Sequence, residues 1–119
     1  MRRKPGSLVP LEAAICIAAA TLRRRGTEEF HGFLIAKVLS HAADARLLTA
    51  YGTLYRALGR LEKMGLVRSR PEDPQVAAQE GRPMRRLYTL TGAGEVAARE
   101  AASARTRLSH SRKPAEGTT

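Results

Sequence analysis

Two clusters in this chain carry side chains suited to recognising a polyanion. The first is Tyr51-Gly52-Thr53-Leu54-Tyr55-Arg56, continuing to Arg60 and Lys63. A guanidinium donates two parallel hydrogen bonds to a phosphate or to the O6 and N7 of guanine, and a Thr or Tyr hydroxyl adds single bonds. Gly52 has no side chain to hold a phosphate backbone away. The second cluster is Gly81-Arg82-Pro83-Met84-Arg85-Arg86. Its three arginines flank a proline that fixes the backbone, so on a narrow ribbon they could straddle a phosphate run or enter a minor groove. Each cluster also has a plainer reading. Tyr55 suits a core position against a neighbouring helix as well as a contact surface. Arg60 and Lys63 suit ordinary solvated charges.

Other chemistry is sparse. His31, His41 and His110 are scattered, no His/Asp/Glu pair has ligand spacing on one helix, and no glycine loop is built to cradle phosphates. Cys16 is the single cysteine, which excludes an intramolecular disulfide and a cysteine-based metal site. It lies in an apolar stretch and reads as an inert core residue. No metal, no cofactor and no enzymatic activity are expected.

The whole chain agrees with the first cluster. It has 119 residues, a length for one domain, and 43% apolar residues, enough for a core without staples. Its formal charge is +10, and 17 of the 21 basic residues are arginine. Such a charge points to nucleic acid first and an anionic membrane second. No apolar run is long enough to span a bilayer, since Pro10, Glu12 and Thr21 interrupt the best stretch, residues 8–22. A cleavable signal peptide would remove a large part of so small a domain and is not expected.

The elements that must position these clusters follow from periodicity. Residues 1–6 read as a flexible basic arm. A first helix is expected over about 10–25, with Pro10 in its first turn and Gly26 as its stop. Leu11, Ile15, Ala18 and Leu22 recur at helical spacing, and Ala14, Ile17 and Ala19 widen the stripe over most of the helix. A second helix runs to about residue 43 with Leu34, Ile35, Val38 and Leu39 inward, and residues 47–49 form a short extended piece. The third helix spans about 50–64 with Leu54, Leu58 and Leu61 inward, and Gly65 takes the left-handed position after it. Residues 66–70 and 84–90 read as two strands joined by a polar loop with a mobile tip. Thr91 caps a last helix to about residue 108, lined by Ala97, Ala101, Ala104 and Leu108, and the tail from 110 to 119 is expected to be disordered.

The order is mainly α with a small β-hairpin, which in a basic chain of this size is a winged helix-turn-helix over 7–90 with a C-terminal dimerisation helix over 91–109. A first helix apolar nearly all round, beside an Ala-lined last helix, leaves more apolar face than a small core covers. Leu11, Ile15, Ala18, Leu22, Ala97, Ala101, Ala104 and Leu108 are therefore the expected dimer interface. The alternative is that the two helices satisfy each other within one chain.

The string Gly52-Thr53-Leu54-Tyr55-Arg56-Ala57-Leu58, followed by Leu61-Glu62 and Gly65-Leu66-Val67, resembles the PadR-family transcriptional regulators. His31-Gly32-Phe33 resembles the start of that family's second helix, and Gly81-Arg82-Pro83 with Tyr88-Thr89-Leu90-Thr91 and Gly94 resembles its wing and the beginning of its last helix. The likeness covers about residues 8–99, in a short form of the family. It implies a cytoplasmic, homodimeric repressor of a palindromic operator on double-stranded DNA, released by a small hydrophobic or aromatic effector. Carried over, Thr49, Tyr51, Gly52, Thr53, Tyr55, Arg56 and Arg60 would face DNA from the third helix, and Arg82, Arg85 and Arg86 from the wing. The competing class is a ribosomal or nucleoid-like structural protein that binds nucleic acid without operator specificity.

Charge is unevenly spread. Residues 1–25 carry six basic and one acidic side chain, whereas residues 26–65, with the reading helix, net only +1. Arm, helix end and wing are thus expected to supply affinity, and a nearly neutral helix the choice of sequence.

Overall fold

The computed structural model describes residues 8–41 and 51–117. Along the chain run α1 (Pro10–Arg24), β1 (Glu29–His31), α2 (Gly32–Ser40), α3 (Tyr51–Lys63), β2 (Val67–Pro71), α4 (Pro74–Gln79), β3 (Arg86–Leu90) and α5 (Gly92–Gly117). The mainly helical winged arrangement expected from the sequence is the one observed. The expected basic arm and the extended piece at 47–49 lie outside the described residues.

Helix α1 is the centre of the molecule. Pro10 opens it at no hydrogen-bond cost, and the Val9 N–H is taken by the Glu12 carboxylate at 3.1 Å. Its alanines let α2, α3, β3 and α5 all approach. Leu11, Ile15, Ala18 and Leu22, expected at a dimer interface, are between 0 and 9% exposed inside this chain's own core. The reason is α5, which folds back along α1 and sets Ala98 into the same cluster. The apolar excess of α1 is therefore covered within the chain, and these four side chains are corrected to core.

Helix α3 buries Leu54, Ala57, Leu58 and Leu61 completely. The spacing i, i+3, i+4, i+7 makes one face of a helix, so burial drives both its formation and its orientation. It closes as expected, with Gly65 at φ +77° and the Leu66 N–H bonded to the Leu61 carbonyl at 2.9 Å.

The sheet has three strands, not the two expected, in the antiparallel order β1-β3-β2. Three residues are too few for β1 to show a period. Pairing and packing hold it instead: Phe30 sits opposite Tyr88, and their rings stack at 5.9 Å.

The connection between β2 and β3 holds the short helix α4 rather than an open loop. The Asp73 side chain accepts from the Gln75 N–H at 2.9 Å, and Pro74 stands in the first turn. Gly81 then takes φ +66°, which lets the Arg82 N–H reach back to the Ala77 carbonyl at 3.1 Å.

The last helix starts where expected. Thr91 Oγ1 accepts from the Gly94 N–H at 3.0 Å and donates to the Gly65 carbonyl at 2.7 Å, tying the start of α5 to the end of α3. Helix α5 reaches Gly117, beyond its expected end near residue 108 and through most of the expected tail. Neither glycine nor proline interrupts residues 95–113, and their alanines, arginines and glutamates are good helix formers.

Candidate nucleic-acid interface

The face of α3 opposite its leucines is open. Gly52 and Arg56 are exposed, Thr53 is half-buried and Tyr55 is 45% exposed. Among the described residues the Arg56 guanidinium has one bond, a long one of 3.4 Å to Thr53 Oγ1, which leaves it able to turn toward a ligand. Tyr55 is packed on one side and open on the other. Its ring lies so close over Gly32 that a Cβ there would stand 2.5 Å from the phenol oxygen, while the rest of the residue faces solvent. Thr49 and the side chain of Tyr51 lie outside the described residues.

Arg60, expected to face DNA, is half-exposed and is bonded to an acid of the core. It sits on the side of α3 toward α1, and its Nε donates to Glu12 Oε2 at 2.6 Å. Glu12 is fully buried, so its charge requires such a partner. Arg60 thereby fastens α3 to the core. The same carboxylate touches the state of Cys16. Burial, and then the nearby Glu12 charge, push the thiol up to about 11, so it stays protonated near neutrality.

The wing divides in the same way. Arg82 donates through both terminal nitrogens to the two oxygens of Glu72, at 2.8 and 2.7 Å, and through Nε to Glu80 at 2.8 Å. Glu72 also accepts the Arg85 backbone N–H at 3.1 Å. The Arg82 bonds are the main reason the Glu72 carboxyl is held down at about 2. With its side chain only 18% exposed, Arg82 closes the wing upon itself and does not project as a contact. Arg86 is exposed, and its Nε donates to Ser69 Oγ at 2.9 Å, which in turn donates to Glu62 of α3 at 2.8 Å. Arg85 is half-buried and lies 3.2 Å from His31 Nε2.

Structure thus brings Gly52, Thr53, Tyr55 and Arg56 together on one side of α3. Arg85 is joined to that side through His31 and Gly32, while Arg60 and Arg82 are engaged inside the chain. The helix-end charge is also partly engaged, since Arg23 bonds the Leu90 carbonyl at 3.1 Å, Glu95 at 2.6 Å and Glu28 at 3.1 Å. Sequence reasoning missed Glu12 and Glu72 as positioning residues. For Glu12 a signal existed, because it stands three residues after the helix cap. For Glu72 the Asp73-Pro74 and Gly81 punctuation marked a helix that brings Arg82 back beside it.

Among the described residues no helix is long and apolar enough to cross a membrane, and no group of three or more His, Cys, Asp or Glu is placed to hold a metal ion. No curated protein matches the chain significantly. The family model described as "Transcriptional regulator PadR-like family" matches residues 22–100, from the end of α1 through α3 and the wing into α5. With two-thirds of the chain matched and the open helix face and wing inside the match, the chain belongs to the PadR-like family of transcriptional regulators.

Proposed function

We propose that this regulator is a homodimeric repressor acting in the cytoplasm on a palindromic operator. The observation that carries the reading is the two-sidedness of α3: four buried apolar residues on one face, and Gly52, Thr53, Tyr55 and Arg56 on the other. That helix would enter the major groove with Thr49 and Tyr51 at its leading end, while Arg85 and Arg86 take phosphates. Arg60 and Arg82 act one step back, by holding the helix and the wing. Dimer contacts fall to α5, where Ala97, Ala101 and Ala104 are half-buried along one side and Leu108 continues the spacing. Release by a small hydrophobic or aromatic effector rests on family membership alone.

Selection from a random duplex library tests the reading. The expected product is a two-fold symmetric sequence with half-sites about 34–36 Å apart, or a multiple of that distance. Placed upstream of a reporter, that sequence should lower expression when the protein is present. Binding without enrichment would instead make the protein a structural nucleic-acid binder.

A further inference from the structure

His31 stands where three elements meet. It ends β1, caps α2 and faces the wing. Its Nδ1 accepts the Leu34 backbone N–H at 3.1 Å. A neutral imidazole carries one proton, so with Nδ1 accepting, the proton is on Nε2. Yet Nε2 lies 3.2 Å from a terminal nitrogen of Arg85, which also carries only donors. Two donors face each other, and among the described residues no acceptor stands between them. The other tautomer only moves the conflict, because the α2 cap would lose its acceptor. A doubly protonated ring is worse still. Burial, and then the charges of Arg85 and Arg82, hold the His31 pKa below its ordinary value.

The groups around the ring do not resolve the pair. Arg82 adds a second positive charge from the wing. The nearby Glu72 carboxylate is taken by Arg82 and by the Arg85 backbone N–H. Phe33 offers only its ring, stacked at 6.3 Å. What satisfies both donors is an anionic oxygen placed between them.

We propose that His31 and Arg85 together grip one phosphate of the DNA backbone, with His31 Nε2–H and the Arg85 guanidinium donating to its oxygens. The inference rests on the DNA-binding reading above and adds His31 to it. Position favours DNA as the source of the phosphate. Gly32, next in sequence to His31, is the residue that the Tyr55 ring covers. The grip is therefore continuous with the open face of α3, one residue from the side chains set to read bases. Phosphate contacts of this kind fix register rather than sequence.

The test uses the duplex recovered by selection, binding followed by fluorescence anisotropy at several salt concentrations, and thermal melting. His31→Asn retains a side-chain acceptor for the cap and removes the distal donor. Each of His31→Asn and Arg85→Ala should weaken binding about tenfold, and the double variant little more than the worse single one. Arg85→Ala should also reduce the log–log salt slope by about 0.9. Methylphosphonate substitution, one phosphate at a time, gives a readout on the unaltered protein. One neutralised phosphate per half-site should weaken wild type and leave Arg85→Ala indifferent. If Arg56→Ala weakens binding while His31→Asn binds like wild type, or if no phosphate shows dependence on Arg85, the grip is wrong and the DNA reading stands. If wild type selects no sequence and Arg56→Ala changes nothing, the reading fails and takes the grip with it.

Discussion

Helix α3 and the wing segment 72–86 both carry arginines, yet different forces hold them in place. Helix α3 is fixed by Leu54, Ala57, Leu58 and Leu61, all fully buried in the common core. In the wing segment only Ala77 and Glu72 are buried, and neither joins that core cluster. Order there comes from the Glu72–Arg82 pair, the Arg82–Glu80 bond and the caps of α4. Apolar burial has no charge to screen or titrate, whereas an ion pair near the surface is weakened by salt screening and by protonation of its carboxylate. Helix α3, proposed to read bases, is therefore set by apolar packing, and the wing, proposed to reach phosphates, is closed by a polar clasp.

The largest expected effect strikes at the first half of that contrast. Leu58→Ala should cost about 2–5 kcal/mol of global stability, as for other fully buried leucines. Denaturant unfolding measures it, and a loss below about 1 kcal/mol would mean that α3 is not anchored by its leucines. Arg82→Ala should behave differently. Its global melting should stay near wild type, while protease cleavage within 72–85 rises. A protein that melts as a whole on this change would erase the distinction between the two regions.

A smaller effect separates the two regions by function. Arg56→Ala should lose about 1–3 kcal/mol of discrimination at one base position, with the fold unchanged. Arg86→Ala should weaken all duplexes alike and lower the salt slope by about 0.9. Competition titrations with matched and mismatched duplexes distinguish the patterns, and identical behaviour of the two variants would contradict the division of labour.

The same contrast explains what could be read in the sequence. Helix α3 was legible because burial imposes a period: Leu54, Leu58 and Leu61 recur on one face, and Gly65 ends the helix. The open residues Gly52, Thr53, Tyr55 and Arg56 followed from that face by elimination. Partnerships between distant charges have no period. Nothing local in Arg60 indicates Glu12, 48 residues earlier, and nothing in Arg85 indicates His31, 54 residues earlier. Arg82 looked like a free contact because its carboxylate is ten residues away, across a helix too short to show a stripe. Strand β1 escaped for a related reason, since three residues become a strand only through their partner β3. The dimer assignment of α1 failed on quantity. An apolar surplus is visible in sequence, but whether the same chain covers it depends on where α5 lies.

Acid sharpens the comparison with the smallest effect, because it touches only the clasp. The Glu72 carboxyl sits at about 2 in the folded wing against an ordinary value of 4.5, chiefly because Arg82 bonds it. A depressed carboxyl contributes its stabilisation in full above the unfolded value and loses it as pH falls toward the folded one. The wing should therefore loosen progressively between about pH 4.5 and pH 2, with amide protection over 74–81 dropping relative to neutral solution. Carboxylates in general protonate in this range, so the trend alone does not identify Glu72. The Glu72→Gln variant does, since its side chain has no proton to gain. Its wing amides should already be less protected at pH 7 and should change little more on acidification, while the α3 amides of variant and wild type fall together. Wing protection in wild type that stays flat across that interval, or a variant that retains the full acid response, would show that the clasp is not what orders the 72–86 segment.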